Sequence, residues 1–433
     1  MSQRGAEAGA EQAAASARRR VEAVWRIESA RIVATLTRVT GDFGLAEDLA
    51  QEALLDALAQ WPRDGVPANP GAWLTAVAKR RAIDLWRRRE RLDARLAAIA
   101  HDLEEGQRRD PEAAPWDPDE IQDDVLRLVF IACHPVLSRE AQVALTLRVV
   151  GGLTSEEIGR AFMIPTATVQ QRIVRAKRTL AAAHVPVESP PREEHRERLA
   201  SVLGVVYLIF NEGYAATSGP DWMRPELALE AVRLARVLAS LVPGESEVHG
   251  LLALLELQSS RFAARVTREG EPVLLGDQDR RRWDRGAIAR GRAALARADA
   301  LGRGRGAFAL QAGIAECHAV AASTASTDWE QIVVLYEALG RIAPSPVVEL
   351  NRAVAVSMAT GPASALRIVE ELERDGSLAG TAMLPSVRGE LLAQLGRREE
   401  AVDALAEAAR RVGNERERDV LLGKVRALEE GAR

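Results

Sequence analysis

The sequence predicts an all-α protein, and two observations of composition point to this. Hydrophobic residues make up 47% of the 433 residues and charged residues 28%, which is typical of folded globular chains. This composition excludes wholesale disorder and collagen-like or disulfide-scaffold classes. Aromatic residues contribute only 4% while alanine is abundant, which favours helix over an aromatic-rich β-sandwich. The length suggests about three domains.

Charge is unevenly distributed along the chain. The total is close to neutral, with 58 Lys and Arg against 62 Asp and Glu, a net charge of −4. Residues 70–95 carry eight basic and three acidic side chains, whereas residues 101–124 carry two basic and ten acidic ones. Residues 166–180 are basic again, with four Lys or Arg and no acid. The near-neutral total therefore does not exclude a nucleic-acid-binding protein.

The charge pattern and two proline clusters divide the chain into five parts. Pro111, Pro115 and Pro118 lie within the acidic stretch, which is typical of a linker. A second cluster at 189–191 marks another boundary. The predicted parts are a disordered N-terminus (1–20), a helical domain (21–95), an acidic linker (96–120), a second helical domain (121–184) and a long helical domain (193–433).

Three helices are predicted in the first helical domain. Apolar spacing predicts helices over 21–39 and 45–61, and a loop over 62–70 precedes a third helix over 72–89. The second half of this third helix is strongly basic, which ordinarily indicates a solvated face. Tryptophans ordinarily pack in a core, but four of the eight lie in this domain, where they also suit stacking on unpaired bases. These four are Trp25, Trp61, Trp73 and Trp86.

The second helical domain has the pattern of a helix-turn-helix. Ser138 is predicted to cap one helix, Thr154 and Glu157 have the spacing of a capping box, and Thr166 is predicted to cap the last helix. That helix has an apolar stripe on one side, which is formed by Val169, Ile173, Ala176 and Leu180.

The outer face of this last helix has the chemistry of a DNA recognition helix. Thr, Gln and Arg near its N-terminus are suited to base edges in the major groove, and later arginines are suited to phosphates. Arg172 is expected to make a base contact. The predicted DNA-binding residues are Thr166, Thr168, Gln170, Gln171, Arg172, Arg175 and Arg178.

Residues 193–433 carry no nucleic-acid-binding pattern and are predicted to be helical throughout. The second members of three helix pairs start at 328, 362 and 397, and these steps of 34 and 35 residues match the period of tetratricopeptide repeats. The predicted pairs are 308–322 with 328–340, 346–358 with 362–374, and 383–395 with 397–410. A final helix over 414–428 and less regular helices over 195–215, 225–241 and 246–262 are also predicted.

Three strings in this part resist a simple packing explanation: YLIFNEGY, GDQDRRRWD and PSPVVELNRAVAV. Their polar residues predict either a buried network that fixes helix register or a concave pocket for a peptide or small ligand. These residues are Asn211, Glu212, Asp279, Arg282 and Asn351.

No pattern of an enzyme is found in the sequence. The six histidines and two cysteines lack the spacing of a metal site, and no nucleophile elbow or phosphate loop is present. We therefore expect no catalytic activity, no cofactor and no metal. The cysteine usage indicates a reducing cytoplasm, and the lack of a long apolar run predicts no membrane segment.

Two strings carry a resemblance to a known family. DLAQEALLDALAQW with PGAWLTAVAKRRAIDLWRRRER resembles region 2 of bacterial RNA polymerase sigma factors of the extracytoplasmic-function type, and LTSEEIGRAFMIPTATVQQRIVRAKRTL is similar to their region 4. With the long helical extension, the whole chain resembles a subclass with a tetratricopeptide-like C-terminal domain. In that subclass the extension is thought to govern activity.

The resemblance implies the partners and their binding residues. The 48–61 helix would dock on the clamp helices of the largest subunit of core RNA polymerase, region 4 would contact its flap and read the −35 promoter element, and the 62–70 loop would read the −10 element. The residues expected to bind core polymerase are Asp48, Gln51, Glu52, Leu55 and Asp56. Those expected to act at the −10 element and in strand opening are Trp73, Lys79, Arg80, Asp84, Arg87 and Arg88.

Two other functions stay open on the sequence. One is a helix-turn-helix transcriptional activator whose helical repeat domain binds a ligand or peptide. The other is a repeat scaffold with vestigial DNA contacts. The leading prediction is a cytoplasmic sigma factor, with a protein or small ligand binding the C-terminal helical domain.

Overall fold

The computed structural model confirms the all-α prediction. It describes residues 20–21, 23–25, 27–90, 118–162, 164–183, 185, 192–216, 222–268, 271–302, 304–376 and 378–430. Within these ranges the only β pairing is an isolated antiparallel bridge between Val266 and Pro272. The predicted N-terminal segment and nearly all of the predicted acidic linker lie outside the described residues. The chain divides into two compact units at Val205 and Val206.

The first unit contains seven helices in its described part. Residues 27–40 form α1. The others are α2 (Phe43–Asp64), α3 (Pro70–Glu90), α4 (Pro118–Ala132), α5 (Arg139–Val149), α6 (Ser155–Phe162) and α7 (Thr166–Ala182). We call residues 27–90 the N-terminal module and residues 118–182 the helix-turn-helix module.

Local sequence signals explain most of these helix ends. The Ser138 hydroxyl accepts a hydrogen bond from the Ala141 amide, which confirms the predicted cap of α5. The Thr154 hydroxyl accepts from the Glu157 amide, and the Glu157 carboxylate accepts from the Thr154 amide at 2.8 Å. This reciprocal pair confirms the predicted capping box of α6. The α6–α7 turn is tight, since a Cβ on Gly159 would lie 2.9 Å from the Ile164 carbonyl oxygen.

Two predicted helix ends are wrong. Helix α2 continues through Pro62 to Asp64, and it ends at Gly65, whose positive φ of 86° and amide bond to the Trp61 carbonyl close the last turn. The loop before α3 is therefore shorter than the predicted 62–70. Thr166 does not cap α7, because it is the first helical residue and the capping position is occupied by Pro165.

The second unit continues as helices with short connections. Helix α8 (Arg192–Tyr214) contains the boundary between the units. It is followed by α9 (Pro225–Leu241), α10 (Ser246–Ser259), α11 (Arg285–Ala300), α12 (Ala307–Val320), α13 (Trp329–Ile342), α14 (Pro346–Thr360), α15 (Pro362–Arg374), α16 (Met383–Gln394), α17 (Arg398–Arg411) and α18 (Glu415–Glu430).

Close helix approach in this unit depends on small residues. A Cβ on Gly213 would lie 2.3 Å from the Ala228 nitrogen, and one on Gly250 would lie 2.7 Å from the Ala309 nitrogen. Neither separation allows a side chain, so glycine is required where α8 meets α9 and where α10 meets α12. The predicted helix pairs are present, and the second members start at Trp329, Pro362 and Arg398.

The sequence reasoning missed α11 and misplaced several polar residues. Asp284 caps α11 by accepting from the Ala287 amide, a signal that the preceding basic string obscured. Asn211, Asp279, Arg282 and Asn351 are exposed, so the prediction of a buried polar network is wrong for them. Of the five residues, Glu212 alone is partly buried, and it forms an ion pair with Arg224.

Candidate nucleic-acid interface

Helix α7 separates an apolar stripe from a polar face. Its four predicted stripe residues, including Val169 and Ile173, are all buried, and this confirms the predicted register. The opposite side is hydrophilic. Because the stripe anchors the helix against α5 and α6, the polar side chains of α7 point away from the core of the module.

The seven residues predicted to bind DNA differ in exposure. Gln170, Gln171, Arg175 and Arg178 are exposed, and no ion pair involves either arginine within the described ranges. Thr166, Thr168 and Arg172 are partly buried.

Arg172 is less available than the exposed arginines of α7. The pKa of Glu140 is lowered mainly by a hydrogen bond from its own backbone amide and by one from Ser138, with a smaller contribution from Arg172. Arg172 therefore lies close to a carboxylate of α5. Gln170, Gln171, Arg175 and Arg178 are the predicted residues that α7 presents most freely.

The predicted polymerase-binding residues lie along α2, and several of them are ion-paired. Arg81 of α3 binds Asp56 through Nη2 at 2.7 Å and Glu52 through Nη1 at 2.7 Å. Hydrogen bonding to Asp56 is the largest cause that raises the pKa of Arg81. Leu55, on the same helix, is 63% exposed. Gln51 is partly buried.

The residues predicted to act at the −10 element all lie on α3, but they differ in how exposed their side chains are. Trp73 is partly exposed and packs edge-on against the buried Trp61 ring, with 5.4 Å between the ring centres. Burial, and then the charge of Arg38, lowers the pKa of Lys79. Arg80 and Asp84 are exposed. The side chains of Arg87 and Arg88 lie outside the described residues.

A buried carboxylate joins the two modules of the first unit. Glu47 of α2 is 4% exposed, and its Oε1 accepts from Nε of Arg148 at 3.2 Å. Its Oε2 accepts from Nζ of Lys177, which lies on α7. Lys177 also donates to the neighbouring Asp48 at 2.7 Å. Helix α7 is therefore tied to the helix that carries the predicted polymerase-binding residues.

A second buried carboxylate also joins the two modules, but this one belongs to the helix-turn-helix module. Asp124 of α4 is also 4% exposed. It accepts from Nε of Arg38 at 2.9 Å and from Nη1 of Arg127 at 3.0 Å. Arg38 belongs to α1, so here the helix-turn-helix module supplies the acid and the N-terminal module supplies a cation.

Electrostatics favour the charged form of Lys177. Burial lowers the pKa of Lys177, but the attraction of Glu47 and Asp48 outweighs it, so the net shift is upward. Lys177 thus stays protonated at neutral pH. The sequence reasoning named Asp48 but missed Glu47, Arg148 and Lys177. Helical spacing could have indicated that Glu47 is buried, because it falls on the same face of α2 as the buried Phe43 and Ala50.

Comparisons with known proteins give the family. Residues 26–92 match the sigma-70 region 2 model, and residues 127–180 match the sigma-70 region 4 model. The chain is 32% identical over 144 residues to the ECF RNA polymerase sigma factor SigL of Mycobacterium tuberculosis, and it covers 76% of that protein. The chain belongs to the sigma-70 family, as an extracytoplasmic-function sigma factor.

This sigma factor is also similar to other proteins, over most of its length in one case and over part of it in another. It is 46% identical over 378 residues to an uncharacterized protein, R00370, of Rhizobium meliloti. The aligned region covers 86% of this chain and 87% of that protein. It is 29% identical over 182 residues to the probable ECF RNA polymerase sigma factor SigI of Mycobacterium tuberculosis, with 41% of this chain and 59% of SigI covered. Residues 198–299 match a family of unknown function, DUF6596. No solved structure matches the chain.

Among the described helices of this sigma factor, none is both long and apolar enough to cross a bilayer.

The Glu47 cluster makes a testable contribution to stability. Changing Glu47 to Gln removes the carboxylate and leaves the Arg148 and Lys177 cations without their counter-charge. We expect the free energy of unfolding to fall by about 3 kcal/mol, as for other buried ion pairs that lose one partner. Urea unfolding followed by circular dichroism measures this. Glu52→Gln is the matched control, because its pair with Arg81 is exposed and should contribute less than about 1 kcal/mol. Equal losses in the two variants would contradict the assignment.

Proposed function

We propose that this sigma factor binds core RNA polymerase, directs it to promoters and opens the DNA without catalysis of its own. In this proposal α7 reads the −35 element, and α3 with the loop before it acts at the −10 element. The second unit modulates this activity. The observation that carries the proposal is the exposed polar and basic face of α7, which follows the tight α6–α7 turn. On this face Arg175 and Arg178 form no ion pair with any residue that the structure describes.

The geometry of α7 suits major-groove recognition. Gln170 and Gln171 lie in its first turns, where a recognition helix contacts base edges, and a Gln amide matches the donor and acceptor of adenine. Arg175 and Arg178 follow one and two turns later, where phosphates lie. This division predicts that the first pair sets sequence preference and the second pair sets affinity.

Leu55 is the best candidate for the centre of the polymerase-docking surface. It is a large apolar side chain that lies exposed on α2 between the acids Glu52 and Asp56. Apolar side chains that become fully covered in an interface, with polar residues around them, carry most binding energy. The acids are less suitable for a test, because Asp48 is already paired with Lys177 and Glu52 with Arg81, so changing either acid also removes a contact within the chain.

Changing Leu55 to Ala should weaken binding to core polymerase about tenfold, because it removes buried contact area at the docking surface. Surface plasmon resonance with immobilised core enzyme measures the affinity. Leu229→Ala is the control, since Leu229 is similarly exposed but lies on α9 in the second unit. Absence of any core binding by the unmodified chain would instead favour the alternative function, a helix-turn-helix activator with a ligand-binding helical domain.

Two substitutions on α7 separate base reading from phosphate binding. Gln170→Ala should reduce discrimination between cognate and altered −35 elements by about 1–3 kcal/mol. Arg178→Ala should weaken binding to all sequences and lower the salt dependence by about one counterion. Fluorescence anisotropy of the reconstituted holoenzyme on labelled promoters measures both. If the two variants have the same effect on every promoter, α7 does not divide the tasks in this way.

The proposed modulation by the second unit follows from the separation of the chain into two units. The predicted sigma regions lie before Val205, and the tetratricopeptide-like helix pairs lie after it. Paired helices in such arrays form concave surfaces for other proteins or ligands. The proposal places the protein in the cytoplasm, where core polymerase acts.

A truncated chain tests the modulation, and the structure fixes where to cut. Leu199, Val202 and Val205 are buried, and the Ser201 hydroxyl donates to the Cys133 carbonyl. A chain that ends at Val205 therefore keeps the core of the first unit, whereas one cut before α8 does not. We expect run-off transcription by the truncated chain to keep its promoter choice and to change its yield severalfold. An unchanged yield would refute modulation, and a changed promoter choice would assign DNA reading to the second unit.

A further inference from the structure

The connection between α10 and α11 is an insertion that the proposed function does not use, and its residues 260–268 and 271–284 are described. It contains the GDQDRRRWD string and lies within residues 198–299, the part that matches a family of unknown function. Three single-turn 3₁₀ helices, Phe262–Ala264, Leu275–Asp277 and Arg280–Arg282, shape it. The Asp284 amide donates to the Ser260 carbonyl at 2.8 Å, which closes the insertion at its base.

An arginine in this insertion is buried without an opposite charge. Arg265 is 5% exposed, and its Nη1 donates to the Tyr214 carbonyl. Its guanidinium lies over the Tyr214 ring, 3.5 Å from the ring centre. In the described part of the chain no carboxylate forms an ion pair with it. A buried cation is normally paired with an acid. Because Arg265 has no such partner among the described residues, its positive charge is not compensated there.

Two further arginines extend this uncompensated charge towards solvent. Arg261 and Arg280 are partly exposed, and their guanidinium carbons lie 5.5 Å and 4.8 Å from the centre of the Trp283 ring. Arg261 donates to the Gln278 side chain, and Arg280 donates to the backbone carbonyls of His318 and Ala321. Neither has a carboxylate partner among the described residues. Both cations therefore combine partial access to solvent with unused charge.

Three polar atoms in the same cluster are buried without a hydrogen-bond partner. They are Arg280 Nη2, Trp283 Nε1 and His318 Nδ1. Trp283 is 3% exposed. Buried donors are rarely left unpaired, because each one forfeits its hydrogen bonds to water. Burial, and then the charges of Arg261 and Arg280, lowers the pKa of His318 to about 4, so its ring is neutral at physiological pH.

We propose that Arg261, Arg280 and Trp283 form a binding site for a small carboxylate anion. Arg280 Nη2 and Trp283 Nε1 donate to its two oxygens, and Arg261 supplies further positive charge on the solvent side. The anion satisfies the two unpaired donors and compensates the unpaired cations. This site is independent of the proposed function, since it needs neither polymerase nor DNA.

The donor set favours a carboxylate over a phosphate. Phosphate sites are typically built from several backbone amides at a helix N-terminus. The N-terminus of α11 follows Trp283 in the chain and is already capped by the Asp284 carboxylate, so its amides are not free to bind a phosphate. Two side-chain donors beside a guanidinium match the two oxygens of a carboxylate.

Isothermal titration of the full chain tests the proposal, with acetate, succinate and citrate as probes and sodium chloride at matched ionic strength as the blank. We expect saturable binding of at least one carboxylate, with one site per chain. Nα-acetylglutamate amide in a parallel titration represents a protein side chain. Binding of this compound as tight as that of the free acids supports the site and identifies a protein as the source of the carboxylate.

Two variants and a control locate the site. Arg280→Gln and Arg261→Gln should each weaken carboxylate binding at least tenfold, and the partly exposed Arg261 serves if Arg280→Gln does not fold. Arg281→Gln is the control, because Arg281 is exposed and already paired with Asp279. The proposal is overturned if no carboxylate binds saturably, if inorganic phosphate binds more tightly than every carboxylate, or if all three variants bind alike.

Discussion

The first unit depends on a carboxylate that is kept out of water. Glu47 has almost no contact with solvent, and a buried carboxylate is stable only with cations beside it. Both of its cations come from the helix-turn-helix module, and Asp124 of that module in turn takes a cation from α1. Each module thus supplies charges that the other needs. The position of α2 beside α7 follows from this exchange.

The sequence was sufficient for those parts of the fold that local chemistry determines. The cap at Ser138, the capping box at Thr154 and the buried stripe of α7 depend on residues within a few turns of one another, and all three were predicted. The errors at Pro62 and Thr166 are also local: a proline is tolerated in the last turn of α2, and Pro165 takes the capping position that Thr166 was expected to fill. Both sigma regions, and the order of elements apart from the missed α11, could thus be predicted from sequence alone.

Contacts between distant residues could not be predicted in this way. Glu47 meets partners 101 and 130 residues further along the chain, and no spacing rule connects them. In the second unit, the exposed polar residues attracted attention in the sequence, whereas the buried Arg265 and the unpaired Trp283 did not. Burial and the lack of a partner are properties of the three-dimensional packing. A single sequence records which residues carry charge but not which of them lose contact with water.

The ion pair between Asp48 and Lys177 has a consequence for cooperativity. The two side chains are paired, so a partner that binds the Asp48 carboxylate leaves the Lys177 ammonium with Glu47 alone, and a partner that binds the ammonium leaves the Asp48 carboxylate unpaired. Separating Asp48 from Lys177 requires free energy, and this reduces the binding free energy only of the partner that binds first. By thermodynamic linkage, the second partner then binds more tightly by the same factor, in either order. The Asp48–Lys177 contact can thereby couple the occupancy of α2 to the occupancy of α7.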